Sequence, residues 1–165
     1  MARLVLPAWS LGDLGVLPER TFQVDPGQLH GLVKAARHAS ATAYAYFSKF
    51  RVGAALVMAD DVKGTVIAGA NVENSSYGLT NCAERVAIQT AVAHGWRRLR
   101  YLAVSCGTAP GAALADRSPC GACRQVIREF ADAETLILVD RGTPDFDADV
   151  FDIERLLPFG FRFAK

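Results

Sequence analysis

Apolar positions recur at helical spacing in VDPGQLHGLVKAARHASATA, where Leu29, Leu32, Val33 and Ala36 share one face. Asp25 is placed to cap this helix, Pro26 suits its first position, and Gln28 stands where a capping-box partner would. Two apolar runs follow, RVGAALVM over 51–58 and GTVIAGAN over 64–71, each read as a buried strand. Asp60, Asp61 and Lys63 between them predict a hairpin turn. After the polar loop VENSSYGLTN the spacing predicts a helix over 83–94, stopped by Gly95. A third strand, YLAVSC over 101–106, leads into a loop and helix, ADRSPCGACRQVIREFA, with Val126, Ile127 and Phe130 on one face. TLILVD over 135–140 reads as a fourth strand, and Pro158 ends a short helix, DIERLLP. A hairpin followed by alternating helices and strands predicts a layered α/β fold with a mixed sheet.

Composition narrows the function classes. A chain of 165 residues, 51% apolar, is long enough to bury a core as one domain. The formal net charge is +1, and the densest basic cluster, Arg97, Arg98 and Arg100, follows a helix end where cations are ordinary. Polynucleotide binding draws most of its affinity from Lys and Arg on phosphates, so no nucleic-acid partner is expected. No apolar stretch approaches the ~18 residues of a membrane span, so no membrane partner is expected. The N-terminal MARLVLPAWSLGDLGVLPER has an apolar run broken by Pro7, Ser10 and Asp13, and reads as a surface extension. Four cysteines are too few for a disulfide scaffold in a chain this size, which points to metal binding or catalysis and a cytoplasmic location.

The cysteines carry the candidate chemistry. Cys82 stands at one helix start, two residues before Glu84, and Cys120 and Cys123 form a CxxC at another. The unpaired N–H groups and positive dipole end of a helix N-terminus favour thiolate over thiol. Three thiolates without an evident fourth protein ligand leave one tetrahedral position open, the arrangement of a catalytic rather than a structural zinc. Two other readings stay open on the residues alone. Cys106 closing an all-thiolate set would make the zinc structural, and CxxC by itself is also a redox motif. Cys106 ends an apolar strand, where a cysteine packs as a small hydrophobe. None of His30, His38 and His94 lies in these motifs.

Cys82-Ala83-Glu84 followed by Pro119-Cys120-Gly121-Ala122-Cys123 resembles the zinc nucleobase deaminase signature in its three-cysteine form. FSKFRVGAAL, NVENSSYGLTNCAERVA, SPCGACRQVIREF and ERLLPFGF resemble the small homotetrameric cytidine deaminases, with Tyr46 where many relatives carry proline. The resemblance implies a three-layer α/β/α cytidine deaminase-like fold with a mixed sheet of about five strands. It divides the chain into an N-terminal extension, 1–25, and a cytidine deaminase domain, 26–165.

It also implies one Zn²⁺ per chain on Cys82, Cys120 and Cys123, with Glu84 moving protons as water attacks C4 of cytosine. Arg85 is implied to offset the sulfur charge by hydrogen bonding to the cysteines. Asn71 and Glu73, which strand periodicity places on one side of Val72, are implied to hold the ribose 3′-hydroxyl. Phe50 is implied to line the pocket, and the N–H of Ala83 and the backbone of 118–120 to meet the base edge. Tyr77 and Phe161 are implied to serve a site shared between subunits of a homotetramer, Phe161 by stacking on a neighbour's base.

The expected activity is therefore hydrolytic deamination of cytidine and 2′-deoxycytidine in pyrimidine salvage. The alternatives are a deaminase of modified or N4-substituted cytosine nucleosides, like blasticidin S deaminase, a polynucleotide deaminase, and a non-catalytic zinc-stabilised module. Near-neutral charge disfavours the polynucleotide enzyme, and the intact Glu84 disfavours the inert module.

Overall fold

A computed structural model describes residues 1–107, 110–145 and 147–163. The chain opens with strands β1 (Ala2–Leu6), β2 (Trp9–Ser10), β3 (Val16–Leu17) and β4 (Arg20–Val24). Helix α1 (Pro26–Ser40), strands β5 (Val52–Met58) and β6 (Ile67–Ala70), helix α2 (Ala83–Ala93) and strand β7 (Leu99–Cys106) follow. Helices α3 (Leu114–Arg117) and α4 (Gly121–Phe130), strands β8 (Ala131–Asp140) and β9 (Ala148–Phe151), and helix α5 (Ile153–Leu156) complete it.

The central sheet has five strands in the order β6-β5-β7-β8-β9. Only β7 and β8 run parallel, joined through α4, while the other neighbours are antiparallel. This is the mixed sheet that the sequence predicts. Strand side chains alternate between faces, and both faces here are covered. Ala54, Leu56 and Met58 of β5 and Ile137 and Val139 of β8 pack with Ala87 and Ile88 of α2 and Ile127 of α4. Ala55 and Val57, with Leu136 and Leu138, pack instead with Leu29, Leu32 and Val33 of α1. Burial on both sides explains why these strands read as near-continuous apolar runs. The expected elements are present with shifted ends: β8 begins four residues before the expected strand, and β6 begins three residues into its run and ends one residue short of it. Asp25 caps α1 by accepting from the Gly27 N–H.

The N-terminal segment departs from expectation. It is not a surface extension: Leu6, Phe22 and Val24 are buried against the α1 face of the core. Antiparallel pairing of β1 with β4 sets Leu4 opposite Phe22 and Ala2 opposite Val24, so apolar residues far apart in sequence present one face. The buried Arg155 of α5 ties this pairing down. It forms an ion pair with Asp152 and donates to the carbonyls of Pro7 and Pro18 at 2.7 and 2.8 Å. No periodicity within the segment announces such partners.

Two glycines set how closely helices approach the sheet. A Cβ on Gly53 of β5 would stand 2.0 Å from the Ala36 carbonyl oxygen of α1. On Gly69 of β6 it would stand 2.6 Å from the Ala87 nitrogen and 2.7 Å from the Ala83 oxygen. These are backbone atoms of α2, which cannot rotate away. Gly69 therefore sets the depth at which the first turn of α2, with Cys82 and Glu84, sits against the sheet. Gly69→Ala is expected to lower stability by about 1–3 kcal/mol, as overpacking does, and to weaken metal retention. Thermal unfolding and metal content of the purified variant check both, and an unchanged midpoint would remove Gly69 from this role.

Candidate metal centre

The site grows out of two helix starts. Cys82 is the N-cap of α2 and Cys120 the N-cap of α4, both in extended conformation, and neither cap is closed by a side-chain hydrogen bond. Cys123 follows one turn into α4 and is buried. The packing of α2 against α4 brings the three sulfurs within 4.8 Å of one another. Thiolates ~2.3 Å from a tetrahedral zinc lie roughly 3.8 Å apart, so the spacing suits that ion, and soft sulfur donors suit it chemically. Among the described residues no further His, Cys, Asp or Glu joins the group. Cys106 stays outside it, with its sulfur 3.9 and 3.8 Å from the carbonyl oxygens of Asp116 and Arg117.

Charge around the sulfurs is arranged to keep one of them ionised. Hydrogen bonding from the Cys123 thiol holds Cys82 down to about 5, against burial, and Arg85 adds to the effect. Cys123 is pushed up, first by that same hydrogen bond and then by burial. The Arg85 guanidinium lies 3.7 Å from the Cys82 sulfur and donates to the Thr80 carbonyl at 2.6 Å, which fixes its direction. Glu84 is 3% exposed. Burial pushes its carboxyl up, and the negative Cys82 pushes the same way. A carboxyl so placed keeps a proton to higher pH than an exposed one.

A cavity of about 240 Å³ opens beside the sulfurs. Cys82, Cys120 and Glu84 line it together with Phe50, Asn71 and Glu73. Asn71 is buried, accepting from the Val52 N–H at 2.8 Å and donating to the Phe50 carbonyl at 3.0 Å. Glu73 accepts from the N–H groups of Phe47 and Ser48 at 2.7 and 3.2 Å and from the Ser48 hydroxyl. That hydroxyl, ahead of the two amides, holds the Glu73 carboxyl below its ordinary value. Ala83 is wholly buried at the start of α2.

Two expected site residues lie apart. Tyr77 is 73% exposed, and its ring meets that of Phe47 edge-on at 5.7 Å. It borders a second, outer cavity of about 340 Å³ that shares Ser48, Glu73 and Thr80 with the inner one. Phe161 is 64% exposed, meets Phe163 edge-on at 5.0 Å, and does not line the inner cavity of its own chain. Its carbonyl accepts from Gln125 at 2.8 Å, which secures the backbone and leaves the ring outward.

Sequence reasoning missed Ser48 and Arg124. Arg124 donates to the Pro119 carbonyl at 2.7 Å, the Ser118 hydroxyl at 2.9 Å and the Leu156 carbonyl at 2.9 Å. It thereby braces the turn that carries Cys120 against α5. Its place next to Cys123 was the only available signal.

Three comparisons agree with this geometry. A family model described as the cytidine and deoxycytidylate deaminase zinc-binding region matches residues 27–139, which include the three converging cysteines and Glu84. A cytidine deaminase of Halalkalibacterium halodurans is 44% identical over 130 residues, covering 79% of this chain and 91% of that protein. A cytidine deaminase of Mycobacterium tuberculosis is 41% identical over 124 residues, covering 73% of this chain and 87% of that protein. The crystal structure of cytidine deaminase from Burkholderia pseudomallei superposes with a TM-score of 0.66 at 41% identity, covering 80% of this chain and 98% of that one.

Replacing Cys106 with alanine is expected to leave one zinc per chain, whereas alanine at Cys82, Cys120 or Cys123 removes most of it. Atomic absorption on purified protein reads the result. Zinc lost from the Cys106 variant as well would make the centre a closed four-thiolate site.

Proposed function

From a chain that belongs to the cytidine and deoxycytidylate deaminase zinc-binding family, we propose a zinc-dependent hydrolase that deaminates cytidine and 2′-deoxycytidine to the uridine nucleosides. The observation that carries the reading is a buried carboxyl, Glu84, lining one cavity with two of three converging cysteines. Cys82, Cys120 and Cys123 hold the zinc, one ion per chain. Zinc bound there supplies a water nucleophile at neutral pH. Glu84 takes a proton from the attacking water and passes it to N3 of the cytosine ring. It then carries the second proton to the departing amine, so that ammonia leaves and the 4-oxo ring remains. Arg85 offsets the negative charge of the sulfurs. The N–H of Ala83 and the backbone around Pro119 meet the base edge, and Phe50 packs beside it.

Asn71 and Glu73 hold the sugar through its 3′-hydroxyl. Charge favours a nucleoside over a nucleotide or polynucleotide. Arg117, the only cation among the described residues lining the inner cavity, already donates to the Val139 and Asp140 carbonyls and to Asp149. Glu73 and Asp116 line the same space and would repel a phosphate.

The exposed rings of Tyr77 and Phe161 support a homotetramer in which neighbours complete each other's sites, Phe161 stacking on the base held by another subunit. Thiolate ligation suits a reducing compartment, which supports a cytoplasmic enzyme of pyrimidine salvage. No helix among the described residues is long and apolar enough to cross a membrane.

Glu84→Gln is expected to lower deamination by about 10²–10⁴-fold, the range of general acid–base catalysis, while zinc content stays unchanged. Loss of cytidine absorbance reads the rate, and full activity in the variant would remove Glu84 from proton transfer. A panel of cytidine, 2′-deoxycytidine, their 5′-monophosphates, N4-substituted cytidines and single-stranded DNA tests the substrate class. Faster turnover of a phosphate-bearing substrate would overturn the nucleoside assignment.

A further inference from the structure

Phe50 and Glu73 are joined through a single hydroxyl, that of Ser48, and Asn71 is joined to Phe50 through its carbonyl. The Ser48 oxygen accepts from the Phe50 N–H at 3.0 Å and donates to Oε1 of Glu73. The Phe50 carbonyl in turn accepts from the Asn71 amide at 3.0 Å, and Asn71 Oδ1 accepts from the Val52 N–H. Because one lone pair of Ser48 Oγ is taken by Phe50, its proton is directed at the carboxylate. The two amides of Phe47 and Ser48 occupy Oε2 of Glu73. A carboxylate offers about four acceptor sites, so these three donors leave one, on the oxygen that Ser48 holds.

We infer that Ser48 is a positioning residue for sugar recognition: it fixes the rotation of the Glu73 carboxylate so that the remaining acceptor on Oε1 meets the nucleoside 3′-hydroxyl. The inference rests on the nucleoside reading above, and Ser48 acts through Glu73 rather than on the reacting atoms. Without its hydroxyl the carboxylate stays anchored through Oε2 but turns about that anchor. A hydrogen bond to a charged group that must be reset on binding loses its directional advantage.

The discriminating substrate is 3′-deoxycytidine, which lacks the hydroxyl that Glu73 would accept from. In the unmodified enzyme, kcat/KM for cytidine is expected to exceed that for 3′-deoxycytidine by at least about tenfold, as loss of a charge-assisted hydrogen bond gives. Ser48→Ala is expected to lower kcat/KM for cytidine about tenfold, through KM, and to change that for 3′-deoxycytidine by less than about twofold. Ser48→Thr keeps the hydroxyl and restores discrimination.

A merely structural lesion lowers both substrates together, and that result would overturn the inference, as would an unaltered ratio in Ser48→Ala. If the unmodified enzyme handles the two nucleosides alike, the sugar role of Glu73 fails first and the inference with it. Should Ser48→Ala not fold, Ser48→Cys, a weaker donor of similar size, is expected to give intermediate discrimination, and a ratio equal to that of the unmodified enzyme would refute the proposal.

Discussion

Gathering three sulfurs at two helix starts is the constraint on which the rest of the molecule depends. Like charges repel, and a thiolate half out of water is costly unless something answers it. Here the answers are local. Cys82 and Cys120 stand at the N-caps of α2 and α4, by the positive dipole ends, and Arg85 sits 3.7 Å from Cys82. Zinc held by Cys82, Cys120 and Cys123 would complete the balance, and it would need both helices in place. The close approach of β6 to α2 at Gly69 and the bracing of the 118–119 turn by Arg124 hold the two halves in register.

Around that centre the polar groups divide between chemistry and scaffolding. Glu84 is buried, and that desolvation pushes its carboxyl up. Glu73 is the opposite case, a carboxylate saturated on one oxygen by backbone amides and held in its charged form. Two glutamates lining one cavity thus sit in different environments, one desolvated and the other hydrogen-bonded. Tertiary context, not residue type, separates them.

The ends of the chain are coupled in the same economical manner. Arg155 joins the N-terminal strand pair to α5, and α4 secures the end of α5 through Arg124 and the segment beyond it through Gln125. That leaves the rings of Phe159, Phe161 and Phe163 exposed on a tethered backbone. Three exposed rings on one tethered segment make an apolar patch at this end of the chain.

The sequence alone determined the core elements, the mixed sheet and the candidate metal ligands. Periodicity, caps and cysteine spacing are local signals, and each reports on its own few residues. Asp25 at the helix cap and the CxxC before α4 are legible for that reason. Tertiary structure alone decided what depends on residues distant in sequence. It buried the N-terminal pair through Leu6 and Phe22, left Cys106 out of the sulfur group, and made β9 from a stretch whose Asp149 masks the apolar pattern. It also joined Ser48 to Glu73 across 25 positions. Such contacts are set by how layers pack and chains pair, and no window of sequence contains both partners.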